Sequence, residues 1–281
     1  PLMTLPFAAL LTAPPIAAPA NDPFRNQPFA LRRFAFAVSP GLAALAGRSG
    51  REQSAVLGIG APSLEAPADE GTAVAPLRSA SALGNFATLP GASNELEAIA
   101  AQMPDTGNVV LTGPNATEAG LRSQKLASFG LLAFATHGLI GGEIDSLQEP
   151  ALVLTPPALP GASDNDGLLT ASEAAGLPLD ADWVILSACN TGAASENGAG
   201  GYSGLARAFM QAGARNLLVS LWPVRDDVAV KLTVATVRYH AKGLGQAQAL
   251  RRAELDLISA KGAAGFADPA VWAPFSILVS E

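Results

Sequence analysis

Two side chains in this sequence can do covalent chemistry together. Cys189 is the only cysteine of the 281 residues and sits in VILSACNTG (184–192), where an apolar run gives way to small and polar residues. His137 sits in AFATHG (133–138), at the end of another apolar run, while the other histidine, His240, falls inside a helical pattern. A thiol is a strong nucleophile only as thiolate, so it needs a base or a positive field beside it, and acyl transfer also needs a group to protonate the leaving amine. An imidazole meets both needs. Gly138, without a side chain, can turn its backbone N–H toward the same place, and with the N–H of Cys189 it makes a two-donor oxyanion hole, in which losing one donor costs about 10²–10³ in rate. The plain readings are a small buried thiol and a hydrogen-bonded structural histidine. The conjunction favours the site, because both residues end apolar runs and each is followed by a residue suited to a tight turn.

The two positions share a rim only if the surrounding elements form one sheet. Before residue 90 the chain is rich in Pro, Ala and Gly, with strands expected at LRRFAFAVS (31–39) and AVLGIG (55–60) and a long loop over 61–93. The pattern then becomes regular. NELEAIAAQM (94–103) reads as a helix capped by Asn94, NVVLTG (108–113) as a strand, TEAGLRSQKLAS (117–128) as a helix starting at Thr117, and LLAFATHG (131–138) as a continuous apolar strand. LTASEAAGLPL (169–179) has Thr170 and Glu173 spaced for a capping box. WVILSAC (183–189), NLLVSLWPV (216–224) and FSILVS (275–280) read as further strands, and 204–213, 226–243 and 245–260 as helices. Strands apolar on both faces, alternating with helices, require a buried and mostly parallel sheet, so the fold class is α/β, in one domain over 1–281. Ligands of such sheets gather beyond the carboxyl ends of the strands, where His137 and Cys189 both fall.

An apolar fraction of 49% suffices for a sizeable core, and a single cysteine points to a reducing compartment or an indifferent one and away from a structural zinc site; the expected setting is cytoplasmic. The net charge of -7, with scattered Lys and Arg, offers no basic stripe for nucleic acid. The opening PLMTLPFAALLTAPPIAAPA lacks a basic start and is broken by prolines, so it reads as part of the domain, and no other run approaches a membrane span. NGAGGYSG (197–204) is glycine-rich after a strand, but its spacing is not GxGxxG and no lysine follows, which argues against a nucleotide site.

FATHG, LLTASEAAGLPLDADWVILSACNTG, GLARAFMQAGARNLLVSLWPVRDDVA, ALRRAEL and DPAVWAPFSILV follow one another as they do in CHAT domains, the caspase-like modules related to separase and caspases among the clan CD cysteine peptidases. The resemblance runs from about Leu5 to Ser280. It implies a caspase-like three-layer α/β/α sandwich, with Cys189 as nucleophile and His137 as general acid/base, no metal and no cofactor, and a mobile loop after the nucleophile. It also implies that the chain is the C-terminal part of a longer protein whose missing portion is a TPR-type helical array or another sensor. In separase-like relatives an acid shortly after the LW of the following strand binds a basic P1 side chain. LWPVRDD places Asp226 and Asp227 there, and spacing favours Asp226. The alternative for Asp226 is a plain helix N-cap.

The expected activity is therefore a cysteine endopeptidase acting on a protein or peptide substrate, after Arg or Lys. The rival is a non-catalytic interaction module that keeps the caspase-like scaffold.

Overall fold

The computed structural model describes residues 5–39, 54–64, 86, 88–103, 106–144, 147–157, 165–187, 204–260 and 265–280. In chain order the strands are β1 (Val56–Pro62), β2 (Val109–Gly113), β3 (Leu131–Ala135), β4 (Gly138–Leu139), β5 (Ala151–Val153), β6 (Leu168–Thr170), β7 (Trp183–Ser187), β8 (Asn216–Ser220) and β9 (Phe275–Val279). The helices are α1 (Ala92–Gln102), α2 (Glu118–Arg122), α3 (Ala171–Ala175), α4 (Gly204–Ala212), α5 (Asp226–Ala241), α6 (Gln246–Ser259) and α7 (Pro269–Trp272).

Six strands form the central sheet in the order β2-β1-β3-β7-β8-β9. All neighbouring pairs are parallel except β8 with β9. Because successive side chains in a strand point to opposite faces, an apolar run supplies both layers at once. Leu131, Ala133, Trp183, Ile185 and Leu218 pack toward α1, α5, α6 and α7, whereas Leu132, Phe134, Val184, Leu186 and Leu217 pack toward α2, α3 and α4. The result is the three-layer α/β/α arrangement that the family resemblance implies. β4, β5 and β6 form a small antiparallel sheet of their own, which the sequence reading did not anticipate.

Several expected boundaries move, each for a local reason. Residues 31–39 are not a strand: a 3-10 turn at Ala30–Arg32 is followed by an extended stretch with one bridge, Val38 to Leu278. The Arg251 guanidinium from α6 takes the Leu31 and Arg32 carbonyls, so these groups have no need of a ladder. The segment 117–128 starts at Thr117 as expected, with the Thr117 hydroxyl accepting from the Gly120 N–H, but the helix ends at Arg122. There the Ser123 hydroxyl donates to the Gly120 carbonyl, a local bond that competes with helix continuation, and a separate 3-10 turn follows at Leu126–Ser128. β8 stops at Ser220, ahead of Pro223, which has no N–H to continue a ladder. The capping box of Thr170 and Glu173 is present as expected.

β1 bulges as it leaves the sheet, with a register shift between Gly60 and Pro62 and Ala61 at φ 45°. A non-glycine residue in that left-handed region is strained. Gly60 is fixed by a close approach, since a Cβ there would lie 2.0 Å from the Ala135 carbonyl oxygen.

Candidate active site

The apolar run 131–138 divides at Thr136 and His137. β3 ends at Ala135, and the chain is then taken over by the small sheet: the Thr136 hydroxyl donates to the Val153 carbonyl, and the Val153 N–H donates to the His137 carbonyl at 2.9 Å. His137 therefore stands at the join between two sheets, half-buried and held by its backbone. Its ring lies 5.2 Å from the ring of Phe86. That Val153–His137 bond makes Gly138 and Leu152 a non-hydrogen-bonded antiparallel pair, so the Gly138 N–H points away from β5.

β7 pairs with β3 through five residue pairs, ending at Ala135 with Ser187. His137 lies two residues beyond Ala135, and Cys189 two beyond Ser187 in the sequence. Cys189 itself lies outside the described residues, as do most of the glycine-rich stretch 197–204 and most of the expected loop 61–93.

An open cleft lies over the carboxyl ends of β3, β7 and β8, on the α1 and α5 side. His137, Thr136, Ser187, Ser220, Asp226 and Glu95 give it its polar groups, and Leu89, Val224 and Phe275 are among its apolar walls. No lysine or arginine is among its described lining residues. This is where a sheet with parallel central strands is expected to bind ligands.

The two acids expected after the LW separate. Asp226 lines the cleft, and it is the first residue of α5, with Arg225 in the N-cap position and no side-chain capping bond. Its Oδ2 instead accepts the N–H of Gly91, the N-cap residue of α1, at 3.0 Å. The plain N-cap reading of Asp226 thus gives way to a bridge between two helix starts, and α1 starts at Ala92, earlier than the expected Asn94 cap, because an external carboxylate serves that terminus. A Cβ at Gly91 would lie 2.6 Å from Asp226 Oδ2, so only glycine admits this approach. Asp227 turns outward: Arg225 donates to it at 3.0 and 2.9 Å, and its side chain is 43% exposed.

Glu95 was not singled out by the sequence reading. It occupies the apolar face of α1 with Ala92, Leu96 and Ile99, the i, i+3, i+4, i+7 stripe, and is 2% exposed. A carboxyl on that stripe was the available signal. Its Oε1 lies 2.6 Å from the Thr233 hydroxyl, which is also 2.9 Å from the Ala229 carbonyl. The Ser187 side chain hydrogen-bonds it as well. Burial raises the Glu95 carboxyl to about 7, against the lowering effect of these two hydroxyls, and nearby Asp226 adds to the rise. The single Thr233 proton can serve one acceptor only, so with Glu95 protonated the carboxyl donates to Thr233 and Thr233 donates to Ala229.

The sequence model of the CHAT domain matches residues 1–280. The chain belongs to the CHAT domain family. The family expectation drawn from FATHG and ILSACNTG is borne out, and with it the caspase-like α/β fold class. A search of curated proteins gives no match. Among solved structures, this CHAT domain is similar to the Arg specific cysteine proteinase gingipain R (RgpB), with 11% identity and a TM-score of 0.45 over 80% of this chain and 45% of that one. It is likewise similar to the complex of Porphyromonas gingivalis RgpB pro- and mature domains, with 11% identity and a TM-score of 0.47 over 80% of this chain and 46% of that one. The CHAT chain spans less than half the length of those proteins.

Proposed function

We propose that this CHAT domain is a cysteine endopeptidase that cuts a protein substrate after a basic residue, with Cys189 as nucleophile and His137 as general acid/base. The observation that carries the reading is the cleft over β3, β7 and β8, which has His137 and Asp226 on its walls. Ser187, two residues before Cys189, lines the same cleft.

In this mechanism the Cys189 thiolate adds to the peptide carbonyl carbon, and the carbonyl electrons move to oxygen. The N–H groups of Gly138 and Cys189 stabilise that oxyanion. His137, carrying the thiol proton, delivers it to the leaving amine as the C–N bond breaks. Water, deprotonated by His137, then hydrolyses the thioester and returns the thiol. The basic P1 side chain sits against Asp226, whose carboxylate is fixed by Gly91 and has no lysine or arginine beside it among the described walls of the cleft.

The test is alkylation of Cys189 by iodoacetamide in the wild-type chain and in His137→Ala, alongside cleavage of a peptide library. The expected result is fast alkylation in the wild type, strongly slowed in His137→Ala, with library cleavage after Arg or Lys. Equally inert thiols in both proteins would instead assign the chain to a non-catalytic caspase-like scaffold, and cleavage after Asp would overturn the role of Asp226.

A further inference from the structure

We infer that Glu95 is the second acid of this cleft and joins Asp226 in holding the basic side chain of the substrate. The endopeptidase reading supplies only the identity of the ligand, the residue before the scissile bond; the acids and their setting belong to the structure.

Glu95 and Asp226 reach the cleft from two helices, α1 and α5, and line it together. The Gly91–Asp226 bond clamps the starts of those helices to each other, so the spacing of the two carboxyls does not depend on flexible side chains alone. Glu95 is tied on its other side to Ser187, the last residue of β7, two residues before Cys189 in the sequence. The second carboxyl of the cleft is thus linked to the strand that leads to the expected nucleophile.

No lysine or arginine is among the described residues that line the cleft with Glu95. The titratable groups that share its cleft among the described residues are Asp226 on α5 and His137 after β3, while β1, β2, β3 and β7 contribute none. The nearby cations Arg225 and Lys231 are turned outward to Asp227. A carboxyl buried in this way keeps its proton through the mildly acidic range, consistent with its rise to about 7. An entering guanidinium or ammonium supplies the missing charge. Its arrival favours the ionised form, and Glu95 releases its proton to solvent as the cation binds. Affinity for a basic side chain therefore rises with pH through the range where empty Glu95 holds its proton. Affinity for a neutral side chain of the same shape does not.

The experiment uses Cys189→Ala, which binds without cutting, and its double variants with Glu95→Gln and Asp226→Asn. The probes are a short fluorescent alanine-flanked peptide with one arginine and its citrulline counterpart, a neutral isostere. Binding is measured by anisotropy at about pH 6 and about pH 8, where the arginine peptide is expected to tighten by about tenfold and the citrulline peptide by less than about twofold. Citrulline reports any effect of pH that does not depend on the charge of the side chain, and the Glu95→Gln protein, which keeps every other group of the cleft, reports any charge-dependent part that does not come from Glu95. In the Glu95→Gln protein the arginine peptide should lose this pH dependence. It should also bind about tenfold more weakly at the higher pH. Closely similar melting temperatures of the two proteins at about pH 4, where Glu95 is largely neutral in both the folded and the unfolded chain, show that the fold is kept. An arginine peptide that keeps its pH dependence and affinity in Glu95→Gln, while losing affinity in Asp226→Asn, overturns the inference and leaves the endopeptidase reading standing. Equal affinity for arginine and citrulline in the Cys189→Ala parent overturns both the inference and the basic-residue specificity.

Discussion

Ala135 of β3 and Ser187 of β7 are register partners at the last described step of the two central strands. Beyond this pair β3 is diverted into the small sheet, and the Thr136 hydroxyl bond to the Val153 carbonyl is one of the contacts that fix where His137 stands. Thr136→Val keeps the shape and removes that donor. Because misplacing a reacting group by about 1 Å can cost 10²-fold, kcat for peptide cleavage is expected to fall by about 10–100-fold with KM nearly unchanged. The lost bond should lower stability by about 1 kcal/mol. Steady-state kinetics and urea unfolding on the same variant separate the two effects. Unchanged kcat in a less stable protein would leave Thr136 a structural residue only.

Asp226 and Gly91 give a paired prediction. Asp226→Asn removes the charge but keeps an acceptor for the Gly91 N–H, so it should lower kcat/KM for P1-Arg peptides by about 10²-fold or more, equivalent to the roughly 2–5 kcal/mol expected when a desolvated charge loses its partner. Gly91→Ala keeps the charge and moves it, because the new Cβ would come within 2.6 Å of Asp226 Oδ2 and 3.0 Å of Val230 Cγ2. It should lower P1-Arg selectivity with little effect on alkylation of Cys189. A Gly91→Ala protein with wild-type selectivity would show that the helix-to-helix clamp has no part in specificity.

The central layers were legible in the sequence because a two-faced apolar strand such as 131–135 has no other place to lie than inside a sheet covered on both sides. His137 was legible for the same reason, since the apolar run stops where the chain leaves the sheet. The cleft was less so. Glu95 sits on a stripe that reads as core, and what makes it part of a site is a set of contacts with Thr233 and Ser187, far away in sequence. The helix starts moved because a distant carboxylate, Asp226, replaced the local cap expected from Asn94. The strand expected at 31–39 was lost to another distant side chain, Arg251. Local propensity carries no information about such long-range partners.

Buried carboxyls set the pH dependence of stability. Burial also raises Glu118 to about 7, although its Oε2 accepts the Gly167 N–H at 2.8 Å. For Glu95 and Glu118 the unfolded chain releases the proton near 4.5 and the folded chain near 7. Between these values the native state holds protons that the unfolded state has lost, so stability falls as pH rises across that window and levels off above it. Glu118→Gln should remove part of the slope, at most about 3 kcal/mol of the stability difference between its ends. Urea unfolding midpoints across the window are the measurement. A wild-type stability that rises over the same range would show that these two groups do not dominate.

Glu254 offers the sharpest test of the same physics, because burial is the one cause of its shift. It is 2% exposed on α6, its Oε1 has no hydrogen-bond partner among the described residues, and burial alone drives its carboxyl well above the ordinary value. It borders a second cavity beneath the N-terminal segment, and Phe275 is common to that cavity and to the cleft over β3, β7 and β8. Glu254→Met fills similar space without a group that must be kept neutral or desolvated as an ion. An unpartnered buried polar group costs about 1–3 kcal/mol, so the variant should be more stable by about that amount. The gain should grow as pH rises, because the wild-type fold must hold a proton that the unfolded chain gives up freely. Thermal melts at acid and alkaline pH would read this directly. A variant less stable than the wild type at alkaline pH would mean that Glu254 has a favourable partner and does not stand isolated in apolar surroundings.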